Sequence, residues 1–286
     1  MSYRELIMTD IKSEYIFAKP KGICQKPNDW ENSILLHDKH DFIKVYQEKI
    51  RAEINSHGLS LRLAKLSDIE AVYDFIMGRF NKEYIDDVSK YDLFRFIEYG
   101  HGIIVEDFQK KILGCLFEVG YEKKWKISYS LRLGIDKSLK GKGLGKLLTV
   151  YSCLLAMERG SQLKIGLISI NNLASLHIHV NQVGWLVDKF YHDLDSLGLS
   201  FEFSLPLTPE SLLKNRIDQE GIQIFIEEHT QGIDYLLIDC EDVETLKSVY
   251  QNCKFKIAAI ITKDFKGGKP QFFALPVKVL YTQSDQ

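Results

Sequence analysis

The chain lacks what would mark it for a membrane, for export or for nucleic acid. No run approaches the ~18 apolar residues of a membrane span. The opening MSYRELIMTDIKSEY is interrupted by Lys12, Glu14 and other charges, and so does not read as a signal peptide. Neither sign of charge prevails. Lys and Arg number 37 against 39 Asp and Glu, a net charge of -2, which leaves no global basic field to hold a nucleic acid by counterion release. The five cysteines are odd in number, scattered and without a C-x-x-C pair, so neither a disulfide framework nor a zinc cluster is indicated. A cytoplasmic protein with reduced thiols, no metal, no membrane span and no nucleic-acid partner is expected; nothing in the sequence points to an oligomeric state.

What is present is an ordinary globular composition, 45% apolar and 27% charged over 286 residues, long enough for one medium domain with additions. In residues 1–58 a strand-like piece at Tyr15 to Ala18 and a Pro20–Pro27 loop precede an amphipathic helix near 38–54, where Phe42, Val45, Tyr46, Ile50 and Ile54 recur at helical spacing. Residues 59–207 follow a regular order. A strand at Ser60–Ala64 leads to a helix from Leu66 to about Phe80 and another over Lys90–Tyr99. Strands follow at Ile103–Val105, Ile112–Val119 and Ile127–Ile135, then a helix from Gly143 to Met157, a strand at Leu163–Ile170, a helix over Leu173–Gln182 and strands at Trp185–Tyr191 and Leu199–Leu205. Pro206 and Pro209 read as a linker to a small α+β unit over residues 208–286, with strand-like runs at Ile222–Ile226, Tyr235–Ile238, Phe255–Ile261 and Phe272–Leu280 and a helix over Glu241–Tyr250, whose removal is expected to spare cofactor binding.

The chemistry concentrates at the turn from the third of the antiparallel strands into the next helix. Gly141, Gly143 and Gly145 stand between strand and helix, among Lys140, Lys142 and Lys146. Glycines let successive N–H groups face one concavity, and the positive end of the helix dipole stands behind them, an arrangement suited to a pyrophosphate. The dinucleotide fingerprint fails on the close glycine spacing and on Asn171, where an acid should follow the next strand. The P-loop fails because Leu147 stands where a magnesium-holding Ser or Thr belongs.

Lys140-Gly141-Lys142-Gly143-Leu144-Gly145 resembles the acyl-CoA loop of the GNAT superfamily of N-acyltransferases, with Lys140 in the place of Gln or Arg. A second motif resembles the family's later helix: Asn172, Ser175, His179, Gly184 and Trp185 match its pattern, with the glycine one residue late. The resemblance covers about half the chain. It implies an α+β GNAT fold: a mixed, mostly antiparallel central sheet flanked by helices. It further implies transfer of an acetyl or longer acyl group from acyl-CoA to an amine acceptor, small molecule or protein. On that resemblance Leu133, Gly134 and Ile135 pair with the pantetheine arm, Lys140 to Lys146 cradle the pyrophosphate, and Asn172 and Ser175 lie beside the arm, Asn172 equally an N-cap.

It also implies direct attack of the amine on the thioester, with His179 as the acid for the departing thiolate. No acid stands at Ser130, Leu131 or Arg132, where relatives often carry the base. Glu118 is then the nearest carboxylate, with a water relay to Tyr129 or Tyr191 as the alternative. Cys153 reads as core. A long-chain or amino-acid N-acyltransferase is a rival within the fold. A catalytically weak module serving as a binding protein is the rival outside it.

Overall fold

The structure is a computed structural model that describes residues 39–78, 89–121, 126–194, 198–214, 235–251, 255–261 and 271–276. The strand-like pieces at Tyr15–Ala18 and Ile222–Ile226, and the Pro20–Pro27 loop, lie outside them.

Helix α1 (Lys39–Ser56) buries Phe42, Tyr46, Ile50 and Ile54 of the expected stripe, with Ile43 buried beside them and Val45 only half-buried. After β1 (Ser60–Leu63) come α2 (Ile69–Met77) and α3 (Lys90–Tyr99). Ser89 caps α3: its hydroxyl accepts from the Asp92 N–H, and the Asp92 carboxylate accepts from the Ser89 N–H. Strands β2 (Gly100–Glu106), β3 (Ile112–Tyr121) and β4 (Ile127–Ile135) form an antiparallel meander. Helix α4 (Leu144–Glu158) then crosses to β5 (Leu163–Ser169), which lies parallel to β4. Helix α5 (Leu173–Leu176) runs into a π-turn (His177–Val183), and β6 (Leu186–Leu194) and β7 (Gly198–Pro206) complete a seven-stranded sheet in the order β1-β2-β3-β4-β5-β7-β6. The fold is thus α+β with a mostly antiparallel sheet, as the resemblance implies.

The two faces of this sheet are covered by different helices. Helix α4 covers one, packing against Leu116, Ile103 and Val105, while α2 and α3 cover Ile104, Cys115 and Phe117 on the other. Helix α1 lies over α4 and does not touch solvent with its apolar stripe: Phe42, Tyr46 and Ile54 share a core with Tyr151 and Leu154. The Pro206–Pro209 stretch differs from a bare linker. Pro206 ends β7, and Pro209 opens α6 (Pro209–Lys214), where a missing N–H costs nothing and the Thr208 hydroxyl accepts from the Ser211 N–H. Beyond it, β8 (Leu236–Asp239), α7 (Val243–Gln251), β9 (Phe255–Ile261) and β10 (Gln271–Pro276) form a small unit with sheet order β8-β10-β9. Phe272 meets Phe201 of β7 edge-on at 5.1 Å, and Leu246, Ile257 and Ile260 join the same core as α4. The Asn181 side chain accepts from the Ile260 N–H (2.8 Å) and donates to its carbonyl (2.6 Å), behaving as one rung of sheet along β9.

Candidate active site

The site begins where two strands part. Strands β4 and β5 pair from Ile127 and Leu163 to Ser130 and Gly166 and no further. Beyond that rung β4 stays with β3 as far as Ile135, and β5 stays with β7 as far as Ser169, so a wedge opens between residues 131–135 and 167–169. Its apex is set by a bulge. Glu118 faces Ser130 and Phe117 faces Arg132, which leaves Leu131 as the extra residue that bends β4 away. Main-chain groups of Leu133, Gly134 and Ile135 on the wedge side therefore face a gap in the sheet ladder.

The mouth of the wedge is the glycine loop. Asp136 ends β4, its carboxylate accepting from the Ser138 N–H at 2.9 Å. Gly141 (φ 82°) and Gly143 (φ 74°) are both left-handed, a conformation that costs an L-residue about 1–2 kcal/mol, and open space lies where either would carry a Cβ. Gly143 is the N-cap of α4, and the first bond of the helix runs from the Leu147 N–H to the Gly143 carbonyl. In the turn before it the Lys140 and Lys142 N–H groups donate to the Lys137 and Leu139 carbonyls, while the first N–H groups of α4 itself have no carbonyl ahead of them within the helix. Gly145 serves packing: a Cβ there would lie 2.5 Å from the Ile178 side chain. Lys140 and Lys142 are exposed around the loop and Leu144 is buried beneath it.

The second motif lies alongside. The Asn172 side-chain Oδ1 accepts from the Ser175 N–H at 3.2 Å, so Asn172 is the N-cap of α5. The late glycine has a structural reason. An added residue in a helix is absorbed as a π-turn, and here His177–Val183 is one, after which Gly184 (φ 90°) reverses the chain and Trp185 is fully buried.

Inside that turn His179 is not a surface histidine and not a charged acid. It is 4% exposed, its Nδ1–H donates to the Ser175 carbonyl at 2.8 Å, and its ring meets Trp185 edge-on at 5.0 Å. Burial pulls its pKa down to about 4, against the opposing carbonyl bond, so at neutral pH the imidazole has no proton on Nε2 to give. Burial likewise takes His101 to about 4. Both groups are neutral in the fold and protonate in the unfolded chain below its ordinary 6.5. Stability should therefore fall as pH drops from 6.5 to 4, by up to about 3 kcal/mol for each. Urea midpoints across that range check this: His179→Phe and His101→Phe should each flatten the slope, and an unchanged slope in both would refute the assignment.

Glu118 is also corrected. It lies on the α4 face, 2% exposed, ion-paired to the Lys164 ammonium, 3.5 Å from His101 Nε2 and accepting from the Ser152 hydroxyl of α4. Against the burial that would raise it, the Lys164 ammonium holds its pKa down. Buried under α4 and ion-paired there, this carboxylate is shut away from an incoming amine. Sequence reasoning missed this cluster, although a lysine within the apolar run LKIGLIS was its signal.

Tyr191 sits on the opposite face. Directly opposed residues on antiparallel strands share a face, and Tyr191 opposes Ser200, which opposes Ser169. Its hydroxyl donates to Glu202 Oε2 at 2.9 Å, and Lys189 Nζ stands 3.6 Å from Glu202 Oε1. Glu202 also went unnoticed; the alternation in SFEFS separates it from Phe201 and Phe203. His179 and Tyr191 thus flank the sheet from opposite sides, and the structure does not bring them together.

Among the described residues no helix is long and apolar enough to cross a membrane. No family model matches the chain, and no curated protein matches it. Solved structures similar to it include a spermidine N-acetyltransferase from Vibrio cholerae, at 13% identity over 53% of this chain and 95% of that one, TM-score 0.44. A NatC complex bound to Gag peptide and CoA is similar at 16% over 52% and 99%, TM-score 0.46. Ard1 from Thermoplasma volcanium is similar at 12% over 53% and 99%, TM-score 0.45. The order of its strands and helices, the parallel β4–β5 pair that parts after Ser130, and the glycine loop that opens α4 agree with the α+β fold that the sequence resemblance implies.

Proposed function

We propose that the chain is an N-acyltransferase that moves an acyl group, acetyl first among them, from acyl-CoA to a primary amine. The observation that carries this reading is the wedge with the glycine loop at its mouth. A thioester arm needs main-chain partners along its length and its diphosphate needs N–H donors at one end, and residues 131–135 and 140–146 offer the two in that sequence. The open space at Gly141 and Gly143 fits a group that must approach the backbone closely. Leu133, Gly134 and Ile135 would pair with the arm. Lys140, Gly141, Lys142, Gly143, Leu144, Gly145 and Lys146 would hold the diphosphate, with Asn172 and Ser175 alongside.

In the reaction an amine nitrogen bonds to the thioester carbon and the carbon–sulfur bond breaks with its electron pair on sulfur. The attacking ammonium must lose a proton beforehand and the new amide another, and the thiolate gains one. The acceptor is a small-molecule or protein amine. Longer acyl donors in the same assay test the long-chain alternative, and the absence of thiol release from any acyl-CoA and amine would favour a binding module.

Gly143→Glu tests the cofactor site. A ligand at 100 times its Kd stabilises the native state by about 2.7 kcal/mol, so acetyl-CoA should raise the melting temperature of the wild-type protein. In Gly143→Glu that rise should vanish, because a carboxylate side chain would fill the space a phosphate must enter. The left-handed backbone makes any side chain there strained, and Gly143→Ala, which shares the strain without the charge, is the control. A full rise retained in Gly143→Glu would put the cofactor elsewhere.

A further inference from the structure

Among the described residues, a carboxylate stands near the apex of the wedge on each face of the sheet, and the two differ in burial. Glu118, on the α4 face, is locked to Lys164 and Ser152. On the other face Glu202 of β7 opposes Leu167 of β5, and Leu167 is the first residue past the last β4–β5 rung. Its carboxylate therefore projects from the sheet level with the apex of the wedge, one strand away. The surroundings are half polar. Its side chain is 16% exposed, Tyr191 donates to one oxygen and Lys189 faces the other, while Tyr129, Leu131, Ile165 and Leu167 line the strip between it and β4.

Resting on the acyltransferase reading above, we infer that Glu202 is the base that takes the proton from the acceptor ammonium, with the Tyr191 hydroxyl orienting its carboxylate. One Glu202 oxygen takes a proton from the R–NH3+ group, directly or through one water, and becomes a carboxylic acid. The freed nitrogen lone pair forms the bond to the acyl carbon, and the electron pair of the broken carbon–sulfur bond stays on sulfur. The thiolate takes the second nitrogen proton, and Glu202 returns its own to solvent. The apolar strip excludes water from the path while the carboxylate, at its edge, draws a cation to it. Acceptors bearing a positive amine beside an apolar stem fit this face, and anionic amines do not.

The test is thiol release from acetyl-CoA by the full chain with three probe amines: spermidine, a tetrapeptide with a free N-terminus, and glutamate as the anionic comparison. Glu202→Gln keeps the shape and an acceptor oxygen for Tyr191, so a purely structural role would survive it. For a base, kcat should fall by about 10²- to 10⁴-fold, with the acetyl-CoA thermal shift and KM for acetyl-CoA unchanged. Glu202→Asp should restore part of the loss. Tyr191→Phe, which removes the orienting bond and leaves the carboxylate in place, should lose far less. If the wild-type chain acylates a probe and Glu202→Gln stays within threefold of it, Glu202 is not the base. If the wild-type chain binds acetyl-CoA but acylates none of the probes, the acyltransferase reading itself falls.

Discussion

Removing every residue after Leu207 should leave no folded protein. The segment beyond it supplies Leu246, Ile257, Ile260 and Phe272, all at most 1% exposed, to the core that α4, β6 and β7 also share. Its loss would bare Phe201, Phe203 and Val187 and leave the Asn181 amide without either of its Ile260 partners. Truncating a single buried Leu, Ile or Phe side chain costs about 2–5 kcal/mol, and a whole domain holds only about 5–15. Four such residues together remove as much as that whole margin. The sequence reading, which expected the cofactor site to survive this cut, took the prolines as a boundary without seeing that β7 packs on both sides of it. Soluble yield and size-exclusion behaviour measure the outcome. A monodisperse truncated chain that still gains stability from acetyl-CoA would show that the two units need each other far less than their packing implies.

The second large effect lies in the buried cluster under α4. Lys164 is wholly buried and Glu118 nearly so, and breaking such a pair strands one charge in a medium that cannot solvate it. Lys164→Met should cost about 3–5 kcal/mol in urea unfolding. Glu118→Leu should cost a similar amount. The double variant Lys164→Met with Glu118→Leu should recover most of the loss, because a filled apolar site has no stranded charge. Additive losses in the double variant would mean that each residue acts through separate contacts.

How much of this was legible in the sequence depended on how local its cause is. Helix α3 and strands β4 and β9 begin and end where the sequence places them. In α3 the capping pair Ser89 and Asp92 lies within one turn, and in β4 a continuous strand pattern is closed by Asp136. The glycine loop was legible for the same reason: two left-handed positions four residues or fewer from a helix start leave a mark in the sequence itself. Glu118 and Glu202 were not. Whether a strand carboxylate is buried under a helix or stands at a sheet's open face is decided by pairings such as β3 with β4 and β5 with β7, between segments far apart in the chain. The same holds for His179, whose low pKa comes from packing that its neighbours in sequence do not reveal.

The π-turn at His177–Val183 has a consequence for rotational phase. Each residue added to an α-helix turns everything after it by about 100°, so a simple insertion ahead of Gly184 would swing Trp185 out of the core and point its ring toward solvent. By widening one turn, the helix takes up the added residue without passing the rotation on, and Trp185 meets the sheet with its ring against Gly166, where a Cβ would come within 3.3 Å of it. The two ends of this segment are thereby uncoupled in angle: the Asn172 end is keyed to the mouth of the wedge and the Trp185 end to its floor. A change of one residue in length between them is met by the width of a turn, and neither end has to shift.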